Sequence, residues 1–152
     1  MAIVWHLFRL CRVVEMRFKV TVTAIDFTDW RLQLNNPQCG AYASFEGWVR
    51  NHHDGKAVDA LHYDCYPELA THEGEAILAE ALAKFDITDA RCIHRYGDVT
   101  IGEMAVWVGV SAAHRDAAFL ACRWILDEVK SRVAIWKNER YADGNSHWRV
   151  QG

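Results

Sequence analysis

The chain has 152 residues, of which 17 are basic and 20 acidic, so its formal net charge is −3. Apolar residues make up 51% and charged residues 24%, a composition typical of one globular domain, which excludes a disordered or low-complexity chain. Such a chain offers no basic face for nucleic acid, and no apolar run reaches the ~18 residues that a membrane-spanning helix requires.

The first fifteen residues form an apolar segment that stands apart from the pattern of the rest. Arg9 and Arg12 interrupt it, and no small-residue cleavage site follows, so it lacks the features of a secretory signal peptide. We predict an N-terminal extension over residues 1–15, of which 2–14 could form a short amphipathic helix, and one domain over residues 16–152. A cytoplasmic location is expected.

Strand-like and helix-like patterns alternate through the domain. Helical spacing after Pro67 and after Ser111 predicts two helices, the second over 112–130 with Ser111 as its N-cap. Strands are predicted over residues 18–25, 40–50, 58–66, 90–96, 103–110, 134–141 and 147–150. The order βββ-α-ββ-α-ββ, with strands in adjacent pairs, predicts an α+β fold with a mainly antiparallel sheet and two main helices.

Glycines and cysteines add two local predictions. Asp54-Gly55 predicts a turn after which 58–66 returns as a strand, and Gly74 marks either a weak point or a close approach within the first helix. The five cysteines include no C-x-x-C pair. Reduced, buried thiols are therefore expected rather than disulfides or a catalytic thiol.

Three basic groupings mark a possible site for an anion. Arg50 ends a predicted strand, His114-Arg115 begins the second helix, and Lys130 ends that helix shortly before Lys137. Arg115 and Lys130 are separated by 15 residues, or about 22 Å along one helix. They serve different sites, or a second copy of the chain completes one pocket. We favour a two-fold dimer.

Two other interpretations stay open. His52, His53 and Asp54 could bind a metal in a hydrolase, but no further ligand at a suitable spacing fixes such a site, and none is predicted. A non-catalytic module that captures a phosphorylated ligand or a partner's C-terminal tail would use the same basic residues.

Several separated sequence blocks in register carry a family resemblance. They are Phe45-Glu46-Gly47-Trp48-Val49-Arg50-Asn51, Ile93-His94-Arg95-Tyr96-Gly97, Ile101-Gly102-Glu103, Val108-Gly109-Val110, His114-Arg115, Lys130-Ser131-Arg132 and Trp136-Lys137-Asn138-Glu139. Over about residues 18–148 the chain resembles the large, catalytic subunit of molybdopterin synthase. The resemblance implies an α/β-hammerhead type of fold.

It also implies a sulfurtransferase of molybdenum cofactor biosynthesis. The family adds two sulfurs to cyclic pyranopterin monophosphate and so forms the dithiolene of molybdopterin. The sulfur arrives as a thiocarboxylate on the Gly-Gly C-terminus of a small ubiquitin-like subunit, so no cofactor is expected. Two large subunits form a central dimer, with a small subunit at each end of the heterotetramer.

The resemblance assigns roles by position. Lys130 and Lys137 match the two lysines near the inserted tail and the substrate, and are the implied catalytic residues. The implied substrate-binding residues are Arg50, His114, Arg115, Glu139, Trp48, Val49 and Asn138. Trp48 and Asn138 stand where some relatives carry a basic residue, Arg140 lies two positions beyond Asn138, and Ala134 replaces a common proline.

Overall fold

The structure, a computed structural model, describes residues 15–150. The helix considered for residues 2–14 lies outside the described residues, as does the rest of the predicted extension except Glu15. Glu15 takes part in the fold, because its carboxylate lies 2.7 Å from the guanidinium of buried Arg91.

Nine strands and three helices follow one another through the described residues. The strands are β1 (Phe18–Thr21), β2 (Ala41–Trp48), β3 (His52–His53), β4 (Lys56–Cys65), β5 (Asp89–Arg95), β6 (Gly97–Val99), β7 (Met104–Ala112), β8 (Ile135–Tyr141) and β9 (Ser146–Val150). The helices are α1 (Thr28–Gln33), α2 (Pro67–Lys84) and α3 (Arg115–Arg132). Within residues 15–150, no helix has the length and apolarity needed to cross a membrane.

The strands form two sheets. One has the order β1-β5-β7-β2, and the other has the order β3-β4-β8-β9 with β6 also paired to β4. Only the β1–β5 pair is parallel among the described strands. The predicted α+β class, with a mainly antiparallel sheet and two main helices, is confirmed.

Long-range pairing corrects several predicted boundaries. The first strand ends at Thr21, and the strand after the Asp54–Gly55 turn pairs with β8 and β6 instead of returning along β2. The prediction of Ser111 as an N-cap is wrong. Ser111 extends β7 because it pairs with both β2 and β5, and His114 occupies the N-cap of α3. The short elements α1, β3 and β6 were not predicted, since each has too few residues for a periodic pattern.

Both long helices pack on one face of the four-stranded sheet. Their buried residues include Ile77 and Leu78 of α2 and Ile125 and Val129 of α3. On the opposite face, Trp107 of β7 stacks on Phe27 with ring centroids 5.0 Å apart. The strand β7 is therefore buried on both faces, which fixes the sheet between two apolar layers.

Gly74 is a point of close packing between α2 and β1. A Cβ atom built on Gly74 would lie 2.1 Å from Cγ of Phe18, whose side chain is fully buried. A side chain at this helix position therefore forces the Phe18 ring to move. Of the two explanations that the sequence offered for Gly74, the close approach is therefore correct.

We expect Gly74→Ala to destabilise the protein despite the higher helix propensity of alanine. The clash with Phe18 costs roughly 1–3 kcal/mol, which outweighs the ~1 kcal/mol gained from propensity. Denaturant unfolding measures the difference. In a Phe18→Ala background the clash is gone, so the same change should become stabilising relative to that background. Equal destabilisation in both backgrounds would contradict this packing argument.

Candidate functional site

A cavity of about 320 Å³ opens between the two sheets and the C-terminal end of α3. The end of β2, the β3–β4 hairpin, β4 and β8 contribute to its walls. Its lining includes six residues that the resemblance assigned to the site: Trp48, Val49, Arg50, Lys130, Lys137 and Glu139. Residues as far apart in the sequence as Trp48 and Glu139 are thus brought to one cleft.

The alternation of β8 decides which of its residues face this cavity. Lys137 and Glu139 line it, whereas Asn138 between them does not, because successive side chains of a strand point to opposite faces. Arg140 shares the face of Asn138 and lies 3.6 Å from the carboxylate of Asp98. The structure of the single chain therefore does not bring Asn138 to the predicted site, and Arg140 does not replace it there.

Glu139 is the buried acidic centre of the cavity wall. Its side chain is 2% exposed, Lys137 Nζ lies 2.8 Å from Oε1, and the Tyr141 hydroxyl donates to Oε2 at 2.5 Å. Burial opposes ionisation of Glu139, but the hydrogen bonds from Lys137 and Tyr141 outweigh it and lower the pKa of this carboxyl. Glu139 is therefore an anion that holds the ammonium group of Lys137 in the cavity.

The β3–β4 hairpin brings a second network to the cavity mouth. Asp54 and Gly55 have φ values of 48° and 74°, which is the geometry of the tight turn predicted from the Asp-Gly pair. The hairpin places His53 Nδ1 3.2 Å from Nη2 of Arg50. Arg50 is thereby held beside the cavity by a ring from the neighbouring hairpin.

Lys130 contributes to the cavity an ammonium group that has no ion-pair partner in the described part of the chain. Arg50, Lys130 and Lys137 face Glu46 and Glu139 in the lining, so the fixed charges sum to +1. Glu139 is paired with Lys137, and within residues 15–150 Lys130 makes no ion pair. A cavity with an uncompensated ammonium group is suited to an anionic ligand.

Among the aromatic residues of the cavity that were not predicted site residues, Tyr63 and His94 are in contact with each other. Tyr63 and His94 both line it, and their rings meet edge to face with centroids 5.4 Å apart. Burial and the charge of Glu139 raise the pKa of Tyr63 to about 12. His94 lies inside one of the sequence blocks that carry the resemblance, so the sequence alone could have indicated it as a candidate site residue.

His114 and Arg115 lie outside the cavity. Both are exposed at the start of α3, whereas Lys130 is in the last turns of the same helix. The two ends of this 18-residue helix are about 27 Å apart. Arg115 and Lys130 are therefore far apart within one chain, as predicted. A single site that contains both would require a second copy of the chain.

The described cysteines do not contribute to this site. Cys39, Cys65, Cys92 and Cys122 are free thiols, and none of them lines the cavity. Burial raises the pKa of Cys65 and of Cys122 to about 11, and raises the pKa of Cys92 as well. Thiols held in their neutral form are poor nucleophiles and poor metal ligands.

The sequence also left a metal site at His52, His53 and Asp54 open. His53 Nε2 lies 3.1 Å from Asp54 Oδ2, while His52 Nδ1 lies 2.9 Å from the side-chain oxygen of Asn51. Within residues 15–150, no group of three or more His, Cys, Asp or Glu side chains is arranged to hold a metal ion. His52 is instead hydrogen-bonded to Asn51, and the ring of His53 lies within hydrogen-bonding distance of the guanidinium groups of Arg50 and Arg149.

The protein has an α+β fold with a cavity suited to an anionic ligand, and comparison with known proteins identifies its family. The model of the MoaE protein family matches residues 20–132. The molybdopterin synthase catalytic subunit of Thermoplasma volcanium is 42% identical over 90% of this chain and 99% of its own length, and that of Pyrococcus abyssi is 44% identical over 73% and 75%. The crystal structure of molybdopterin synthase from Staphylococcus aureus has a TM-score of 0.82 and 30% identity, covering 88% of this chain and 96% of that one. The chain belongs to the MoaE family, as the sequence blocks indicated.

Proposed function

We propose that this chain is the catalytic subunit of a molybdopterin synthase and transfers sulfur to cyclic pyranopterin monophosphate. The observation that carries the proposal is the convergence of Arg50, Lys130, Lys137 and Glu139 on one cavity. These are four of the positions at which the family resemblance implies catalytic or substrate-binding roles. The two relatives named above are catalytic subunits. Their names support the proposal that this chain works together with a second, different subunit.

The charges of the cavity fit a substrate with a phosphate group. Arg50 offers donors from a planar guanidinium, and Lys130 adds an ammonium group with no ion-pair partner in the described part of the chain. Charge-assisted hydrogen bonds from such groups stabilise negative charge as the cyclic phosphate opens. No metal or cofactor has a role in the proposal, because the sulfur comes from the partner.

The sulfur donor we propose is the thiocarboxylated C-terminal tail of a small ubiquitin-like subunit. A thiocarboxylate is an anion, so Lys130 and Lys137 would hold it next to the electrophilic carbon of the pterin. The sulfur of the tail forms a bond to a carbon of the pterin, water then cleaves the bond between that sulfur and the carbonyl carbon of the tail, and the tail departs as a carboxylate. Two thiocarboxylated tails are therefore consumed for the two sulfurs of one dithiolene. The free thiols of the described cysteines fit the cytoplasmic location expected for this assembly.

The second part of the proposal is a central dimer in which the site is shared. β2 is one of the two edge strands of the four-stranded sheet, and its exposed side chains include Tyr42, Phe45 and Trp48. Phe119 and Leu120 are exposed on α3. Large apolar groups beside an unpaired strand edge favour association with a second copy.

If the β2 strands of two copies paired antiparallel, the start of α3 in one copy would lie near the cavity at the end of α3 in the other copy. The start of β2 is tied to the start of α3, since Gly40 N–H donates to the carbonyl of Ala113 at 3.3 Å. Arg50 follows the other end of β2. Two-fold pairing would therefore place His114 and Arg115 of one copy near Arg50 and its cavity in the other copy.

Reconstitution tests the function directly. We expect the purified chain, mixed with a thiocarboxylated small subunit and cyclic pyranopterin monophosphate, to produce dithiolene in an assay for molybdopterin. The small subunit with an ordinary carboxylate terminus is the matched control and should give no product. Tight binding of both components without turnover would instead favour the non-catalytic binding module. Metal analysis of the purified chain, together with full activity in a chelator, would exclude the metal hydrolase alternative.

A further inference from the structure

His53 lies at the mouth of the cavity, where three parts of the chain meet. It is the last residue of β3, and its side chain is only 19% exposed. Its ring is approached by Arg50 from the segment after β2, by Glu139 from β8 and by Arg149 from β9. This imidazole is thus in contact with the cavity without belonging to the residues that the family resemblance assigned.

The contacts of the two ring nitrogens are different. Nδ1 lies 3.2 Å from Nη2 of Arg50 and 3.7 Å from Oε1 of Glu139. Nε2 lies 3.1 Å from Oδ2 of Asp54 and 3.0 Å from Nη1 of Arg149. Lys56 pairs with His53 across the hairpin, and its ammonium group lies over the ring of Tyr141.

The two neutral tautomers satisfy different contacts of the ring. A guanidinium group only donates, so Nδ1 accepts from Arg50 only when the ring carries its proton on Nε2. That proton then faces Oδ2 of Asp54 at 3.1 Å, and Arg149 is left with its own contact to Asp54 at 3.5 Å. The other tautomer accepts from Arg149 instead and turns an N–H toward the guanidinium of Arg50.

We propose that neutral His53 is a positioning residue that holds the guanidinium of Arg50 at the cavity for the phosphate of the substrate. The proposal rests on the proposed function. A protonated ring has no acceptor left for Arg50 and puts a further cation beside Arg50 and Arg149. Asp54 and Glu139 would then attract the imidazolium, and Arg50 would lose the contact that holds it.

The test is the apparent KM for cyclic pyranopterin monophosphate, measured with saturating thiocarboxylated partner. In His53→Ala we expect KM to rise by about tenfold, since a hydrogen bond to a charged group is lost, with a smaller change in kcat. His53→Asn keeps an acceptor near the position of Nδ1 and should restore a KM close to that of the wild type.

One further variant is the matched control. His72→Asn, which changes an exposed histidine on α2, should keep the wild-type KM and kcat. An unchanged KM in His53→Ala, or a KM in His53→Asn that is raised as much as in His53→Ala, overturns the positioning role. Wild-type turnover in the same assay reports on the proposed function separately, because a wild-type protein that makes no dithiolene overturns that function.

Discussion

Lys137→Ala is expected to abolish dithiolene formation, with a loss of at least ~10³-fold in turnover. The ammonium group of Lys137 lies in the cavity, held 2.8 Å from the buried carboxylate of Glu139, where it would contact the thiocarboxylate or the pterin. Alanine leaves neither a charge nor a proton donor at that place. Single-turnover assays with thiocarboxylated partner and cyclic pyranopterin monophosphate measure the effect.

Controls separate this chemical role from a structural one. Lys137→Ala also removes the ion-pair partner of Glu139, so we expect a modest fall in stability that thermal unfolding detects while the folded state persists at the assay temperature. Lys130→Ala should reduce turnover severely without that loss of stability, because Lys130 has no ion pair in residues 15–150. Lys19→Ala, an exposed change on β1, should have no effect on either property. Near-normal product from a folded Lys137→Ala protein would rule out the proposed role.

A mixture of two defective variants is expected to recover activity if the site is shared between copies. Arg50→Ala and Arg115→Ala should each lower kcat/KM by roughly 10–100-fold, since each removes a charge-assisted contact to the substrate. After exchange of subunits, half of the dimers contain one copy of each variant, and each such dimer has one site with both arginines intact. The mixture should therefore show about a quarter of the wild-type activity.

The chain also offers a matched control for this experiment. Arg50 and Lys130 line the same cavity of one chain, so a mixture of Arg50→Ala with Lys130→Ala leaves a defect in every site and should recover nothing. Equal recovery in both mixtures, or none in either, would contradict a site composed of Arg50 from one copy and Arg115 from the other. A monomer by light scattering would contradict it as well.

Local sequence patterns were sufficient where one element carries the signal. The helical spacing after Pro67 predicted α2, which begins at that residue, because an amphipathic helix must bury one stripe. The Asp54-Gly55 pair predicted the turn of the β3–β4 hairpin, since both positions require a positive φ. The same reasoning failed at Ser111, where strand pairing on two sides outweighed the preference of serine for an N-cap.

The sequence by itself determined the class of fold, the elements long enough to show a period, and, through the family resemblance, six of the residues that line the cavity. Tertiary structure alone decided that Lys137 and Glu139 share the cavity face of β8 while Asn138 points away. It also added His53 and Tyr63, and it kept His114 and Arg115 at the far end of α3. The reason is physical: spacing along a chain fixes only neighbours within one element, whereas a site is formed by side chains from elements whose mutual positions depend on packing and strand pairing.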